Sequence, residues 1–143
     1  MNIEINEINK IDIERLVFIG EQCLPIFYDS DSIEYLLNTD GYLLYKILLD
    51  NLIIGYCFIE NIEDRCHILS IAILKEYRNK GIGGNIIEYI KLLNKNKISL
   101  YVHLENKKAI RFYNNNGFIV KKLLENYYEN FVNPSAYYLE YNI

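Results

Sequence analysis

The feature that most constrains this chain is a glycine-rich passage, Arg78-Asn79-Lys80-Gly81-Ile82-Gly83-Gly84, set between an apolar run and a helix-like run. Upstream, Cys66 to Leu74 reads as a strand. Downstream, Ile82, Ile86, Ile87, Ile90 and Leu93 fall on one helical face. Glycines let the backbone turn tightly and approach a ligand closely. The first amides of the helix that follows lack intrahelical partners and carry a partial positive charge. With Arg78 and Lys80 beside them they make an anion site suited to a pyrophosphate. Gly83-Gly84-Asn85 lacks the Gly-Lys-Ser/Thr ending of a P-loop. Ile86 stands where a dinucleotide-binding fingerprint needs its third glycine. A plain glycine turn between strand and helix is the bland alternative.

The rest of the chain gives a regular series of elements. Ile3 and Ile5 alternate with polar residues as in a short strand. Ile13, Leu16, Val17, Gly20, Cys23 and Leu24 follow helical spacing until Pro25 stops it. Asp31 and Glu34 resemble a capping box and predict a second helix through Leu37. Strands are expected over 42–49 and 52–62, joined by a tight turn at Asp50-Asn51, and over 66–74. Ile98 to Leu104 reads as a strand, with Ser99, Tyr101 and His103 on one side. Asn106 suits the N-cap of a short helix that ends at Gly117, and strands over 118–124 and 136–141 follow. The order is strand, two helices, three strands, helix, strand, helix, two strands. That is an α+β domain with a mixed sheet and about four helices.

Size and composition agree. The 143 residues suit a single domain spanning 1–143, and 51% hydrophobic residues suffice for a core without disulfides or metal. The formal charge of −4 argues against a nucleic-acid binder. No stretch approaches the roughly 20 apolar residues of a membrane span, and Met1 to Lys10 does not read as a signal peptide. Cys23, Cys57 and Cys66 are odd in number and match no metal spacing, so they read as reduced thiols of a cytoplasmic protein that holds no metal.

Two segments together resemble a known family. Leu69 to Gly84 is similar to the acetyl-CoA signature of the GNAT superfamily of N-acetyltransferases, a strand followed by Arg/Gln-x-x-Gly-x-Gly/Ala. Asn106-Lys-Lys-Ala-Ile-Arg-Phe-Tyr-Asn-Asn-Asn-Gly-Phe118 resembles its second signature, Asn-x-x-Ala-x-x-Phe-Tyr-x-x-x-Gly-Phe. The resemblance implies a GNAT fold with a mostly antiparallel seven-stranded sheet. Acetyl-CoA would be the co-substrate. It implies that Ile71, Ala72 and Ile73 offer backbone groups to the pantetheine arm, and that Arg78, Asn79, Lys80, Gly81, Ile82, Gly83 and Gly84 wrap the pyrophosphate. Asn106 and Tyr113 would lie along the cofactor, with Tyr113 placed to protonate the departing thiolate. A core aromatic is the plainer role for Tyr113.

Leu24-Pro25-Ile26-Phe27-Tyr28 and Asn126-Tyr127-Tyr128 resemble the peptide-binding elements of N-terminal α-amine acetyltransferases of the NatE catalytic-subunit type. The implied acceptor is a protein N-terminus, Met followed by a hydrophobic residue. Leu24, Pro25 and Ile26 would line an apolar pocket, Tyr28, Tyr127 and Tyr128 would hold the first residues, and Leu69 would touch the first side chain. An auxiliary acetyltransferase subunit is an implied partner; nucleic acid and membrane are not. In that type a Tyr on the strand before the loop and a His on the next strand serve as base through water. Here His67 and Tyr101 occupy those places, so the two residue types are exchanged. His103 is a second candidate, and simple alternation puts His67 on a face with Leu69 and Ile71. The alternatives are a GNAT enzyme acting on lysine or a small amine, and a binding module that keeps the fold without catalysis.

Overall fold

The order of elements follows the sequence pattern closely. A computed structural model describes residues 2–93, 96–125 and 135–143. Strand β1 is Ile3–Glu7, helix α1 Ile13–Cys23 and helix α2 Ser30–Leu37. The meander is β2 Tyr42–Leu49, β3 Leu52–Ile62 and β4 Arg65–Ile73. Then come α3 Ile82–Lys91, β5 Lys97–His103, α4 Lys107–Asn115, β6 Ile119–Leu124 and β7 Ala136–Asn142. The seven strands form one sheet in the order β1-β2-β3-β4-β5-β7-β6, antiparallel except where β4 meets β5.

Local chemistry accounts for the boundaries that matter to the site. Leu24 precedes Pro25, whose ring disfavours a helical residue before it; Leu24 is extended (φ −129°, ψ 143°), and α1 ends at Cys23. The chain then runs as an irregular segment toward α2. The cap of α2 is Asp29, not the expected Asp31: its side chain accepts the Ser32 amide at 2.8 Å. Asp50 and Asn51 both take positive φ, 49° and 69°, as a two-residue hairpin turn requires.

Helices cover both faces of the sheet. Ile82, Ile86, Ile87 and Ile90 of α3, with Tyr113 of α4, pack on Ile47, Ile54, Cys57, Ile59, Cys66, Ile68, Ile98 and Leu100. Ile13, Leu16 and Ile19 of α1, with Ile33 and Leu36 of α2, pack on Leu44, Tyr56, Phe58 and Ala72. Each such Ile or Leu contributes roughly 1.5–3 kcal/mol of burial.

Two irregularities in β4 shape the centre of the molecule. The β3–β4 register slips between Phe58 and Ile59, which pair with Ser70 and Ile68, so Leu69 is an extra residue. The bulge breaks simple alternation. Leu69 packs with the α1/α2 side and Ile71 with the α3/α4 side. The expectation that His67, Leu69 and Ile71 share one face is therefore corrected for Ile71. The second irregularity is that β4–β5 pairing stops at Ile68–Leu100, although β4 continues to Ile73 and β5 to His103. The two strands part, and the sheet opens between them.

Candidate active site

A cleft of about 490 Å³ lies at this opening. Its walls are Ile68 to Ile71 of β4, Leu100 to His103 of β5, the segment Leu24 to Tyr28, and Asn106, Ala109 and Tyr113 from the α4 region. Because the strands diverge, the cleft is reached from both faces. Tyr113 belongs to the α3/α4 side, and Leu24 and Tyr28 to the α1/α2 side. Among the described residues, no Asp, Glu, Lys or Arg lines it.

The α1-side wall is fixed by aromatic packing. The Tyr28 ring stands edge-on to Phe58 at 5.8 Å, and Phe58 stacks on Tyr56 at 4.2 Å. The Tyr56 and Ser70 hydroxyls are hydrogen-bonded at 3.0 Å. On the α4 side, the Asn106 side chain accepts the Ala109 amide at 3.2 Å and caps the helix. The Tyr113 ring sits edge-on to Phe112 and Phe118 at 5.1 and 5.3 Å. Its phenol is buried, and burial raises its pKa well above 10, so it keeps its proton.

Beyond the end of β4 lies the glycine loop. Asn79 and Gly81 have positive φ, 61° and 80°, and Gly81 is the N-cap of α3. The first i−4 bond runs from the Asn85 amide to the Gly81 carbonyl, so the amides of 82 to 84 stand outside the helical ladder. The first turn holds no acid. The Arg78 Nε donates to the Ile73 carbonyl at 2.8 Å, folding the side chain back over the strand end. A Cβ built at Gly81 or Gly84 would meet nothing within 4 Å; one at Gly83 would meet the Phe112 ring at 2.8 Å. The cradle is open at Gly81 and Gly84, whereas Gly83 is needed for helix packing.

The two histidines differ. His103 lines the cleft, and its Nδ1 accepts the Glu105 amide at 3.0 Å. His67 is buried and is not among the lining residues. Its ring stands against Tyr101 at 5.0 Å, and its Nδ1 is 2.7 Å from the Ser99 hydroxyl. Burial, aided by the positive charge of Arg65, pushes its pKa down to about 4. His67 is thus neutral at pH 7 and one layer behind Tyr101.

Sequence comparison agrees with this architecture. The profile of the acetyltransferase (GNAT) domain family matches residues 40–120. The chain belongs to the GNAT acetyltransferases. This acetyltransferase is 30% identical over 134 residues to the N-alpha-acetyltransferase of Saccharolobus solfataricus, covering 82% of this chain and 80% of that one. It is also 30% identical to the ribosomal-protein-bS18-alanine N-acetyltransferase of Haemophilus influenzae, over 87% and 86% of the two chains. The fold matches Arabidopsis thaliana Naa50 in complex with a bisubstrate analogue, CoA-Ac-MVNAL, with a TM-score of 0.84 at 21% identity across the full length of both chains.

The acetyltransferase brings most of the sequence-nominated residues to one place. Leu24, Pro25, Ile26, Tyr28, Leu69, Ile71, Tyr101, Asn106 and Tyr113 all line the cleft. Ala72 and Ile73 do not; Ala72 packs on the α1/α2 side, and the Ile73 carbonyl serves Arg78. Tyr127 and Tyr128 lie outside the described residues. Phe27, Ser70 and Ala109 also line the cleft without having been nominated as site residues. Ser70 lies past the last β4–β5 pair, where the strands part, and strand periodicity carries no signal of that. No cluster of His, Cys, Asp or Glu that could hold a metal is found among the described residues.

Proposed function

We propose that the protein transfers acetyl groups to protein N-terminal α-amines, with Met followed by a hydrophobic residue as the favoured start. The observation that carries this reading is the apolar Leu24-Pro25-Ile26 wall of the cleft, whose lining among the described residues carries no Asp, Glu, Lys or Arg. A polyamine site needs carboxylates to hold its further ammonium groups. An apolar wall suits the uncharged side chain of a first residue. The two relatives at 30% identity, named for N-alpha and for bS18-alanine acetylation, support an α-amine acceptor.

The acetyl donor is acetyl-CoA, which supplies an activated thioester. The open cradle at Gly81 and Gly84, the acid-free first turn of α3, and Arg78 and Lys80 fit its pyrophosphate. Backbone groups of β4 near Ile71, left without β5 partners past Ile68, are available to the pantetheine arm and to the developing oxyanion. Tyr113 holds a proton suited to the departing thiolate.

The acceptor enters from the α1 side, against Leu24, Pro25, Ile26, Tyr28 and Leu69. It attacks as a neutral amine in a ternary complex. An α-amine has a pKa of about 7.7–8.0 and a lysine amine about 10.4, so deprotonation at pH 7 costs roughly 1 and 4.6 kcal/mol respectively. Tyr101, with neutral His67 behind it, holds the water that takes the proton. A weak base suffices for the first cost and not for the second.

The decisive experiment is acetyl transfer to peptides with free or blocked α-amines. Met-Leu starts should react best and α-blocked peptides not at all. Preference for an Ala start would move the specificity toward that in the bS18 relative's name. Reaction at internal lysines alone would overturn the assignment.

A further inference from the structure

Phe27 lines the cleft, and what sets its position lies in helix α1. Gly20 stands on the buried face of that helix with Leu16 and Ile19. Glycine is a poor helix former, and no turn calls for it here. The helix runs on to Cys23, and the Gly20 carbonyl accepts the Leu24 amide at 2.9 Å. What the position needs is room. A Cβ built on Gly20 would stand 3.1 Å from the Phe27 Cβ, 3.7 Å from its Cγ and 3.3 Å from the Tyr56 hydroxyl. The closest of these is tighter than ordinary van der Waals contact, so a side chain at 20 makes a neighbour give way.

The two neighbours are not held equally. Tyr56 is buried, stacked on Phe58 at 4.2 Å and hydrogen-bonded to the Ser70 hydroxyl at 3.0 Å. Phe27 is 40% exposed and belongs to the irregular segment between α1 and α2. Beside it, Tyr28 is pinned edge-on to Phe58. Phe27 is therefore the part that gives. It meets Gly20 with its Cβ and Cγ and also lines the cleft, so a shift away from α1 narrows the space left for the acceptor.

We infer that Gly20 is a positioning residue for substrate choice: carrying no side chain, it seats Phe27 against α1, and Phe27 sets the side-chain volume that the acceptor half of the cleft admits. The inference deepens the proposed α-amine reading and rests on it for the identity of the acceptor. The seat itself does not depend on that reading. Phe18, on the same helix, is 45% exposed, lies under the Arg15 guanidinium at 5.3 Å and stands outside the cleft walls, which makes it the control.

Two peptides that differ only in their second residue, with Met-Ala and Met-Phe starts, compete for acetylation in one sample. The ratio of their kcat/KM values does not depend on how much enzyme is folded, so a loss of stability alone leaves it unmoved. Phe27→Ala should shift the ratio about tenfold toward Met-Phe, the scale on which an apolar pocket reads side-chain size. Gly20→Ala should shift it the other way, about threefold toward Met-Ala. Phe18→Ala should keep the wild-type ratio. Should Gly20→Ala not fold, pairing it with Phe27→Gly removes both crowded carbons: recovered folding supports the seat, and none places the crowding at Tyr56 and overturns it. An unchanged ratio in Phe27→Ala, or a folded Gly20→Ala that keeps the wild-type ratio or shifts toward Met-Phe, would also overturn the inference. Wild type that ignores both α-amines and acetylates lysine or free amines would end the α-amine reading by itself. The same variants, compared on a small and a bulky amine of that class, would then decide the role of Gly20 by the same ratio.

Discussion

Gly83 has no room for a side chain because the ring of Phe112 lies against it: a Cβ there would stand 2.8 Å from the ring carbons. One signature thus packs on the other, and the spacing Gly81-x-Gly83-Gly84 serves two purposes. Gly81 turns the chain with its φ of 80°, Gly83 admits Phe112, and Gly84 leaves open space beside the helix N-terminus.

That division predicts opposite behaviour for neighbouring substitutions. Gly84→Asp places an acid in the first turn of α3, which favours the helix by about 0.3–1 kcal/mol but repels a pyrophosphate. Melting temperature should hold or rise, while calorimetry should show acetyl-CoA affinity falling more than tenfold. Gly83→Ala must displace Phe112 and should cost about 1–3 kcal/mol of stability, with a smaller loss of affinity. The reverse pattern would move the pyrophosphate from Gly84 to Gly83.

Tyr113 offers a test of the leaving-group proton. Burial raises its pKa, so the phenol stays protonated throughout any practical assay range. Tyr113→Phe keeps the ring contacts with Phe112 and Phe118 and should fold. It should lower kcat roughly 10²-fold at unchanged acetyl-CoA affinity. Full activity in that variant would reduce Tyr113 to a core aromatic.

The element order and most strand limits were legible because periods of 2.0 and 3.6 are local properties of a sequence. The cleft was legible only in part. Leu24, Pro25, Ile26 and Tyr28 could be nominated through the resemblance of their segment to known peptide-binding elements, while the residues by themselves showed only that a proline ends α1. The bulge at Leu69 was not legible, since inserting one residue into β4 leaves an apolar run that still reads as a strand. It nevertheless turns Ile71 away from His67. The parting of β4 from β5 is a pairing between strands about thirty residues apart, and nothing local announces it. The cap of α2 shows the limit at smaller scale: Asp29 and Asp31 both precede a helical run, and backbone geometry chooses the first.

Acid should weaken the fold in a window set by His67. Its folded pKa is about 4, below the unfolded value near 6.5. Below pH 6.5 the unfolded chain takes up a proton that the folded chain refuses, so this contribution is intact above pH 6.5 and is lost as pH falls toward 4. The lost amount is on the order of 3 kcal/mol. Urea denaturation at pH 7 and pH 4.5 should show a steeper loss in wild type than in His67→Phe. Parallel losses would place the acid sensitivity elsewhere.

The choice between the two histidines follows from their hydrogen bonds. His103 lines the cleft, but its Nδ1 accepts the Glu105 amide at 3.0 Å, so the neutral ring carries its proton on Nε2. Such a ring has its lone pair already engaged and cannot take a proton from the acceptor without breaking that bond. His67 reaches the cleft through Tyr101, whose ring it contacts. His67→Phe should therefore lower kcat roughly 10²-fold with acetyl-CoA affinity intact, the lower end of the range for general-base help. Since His67 has a pKa of about 4, the acidic limb of kcat/KM near pH 8 belongs to the peptide amine and should survive in His67→Phe. His103→Phe should alter peptide KM more than kcat. Loss of kcat in His103→Phe with full activity in His67→Phe would reassign the base to His103 and take from Tyr101 its place in the proton path.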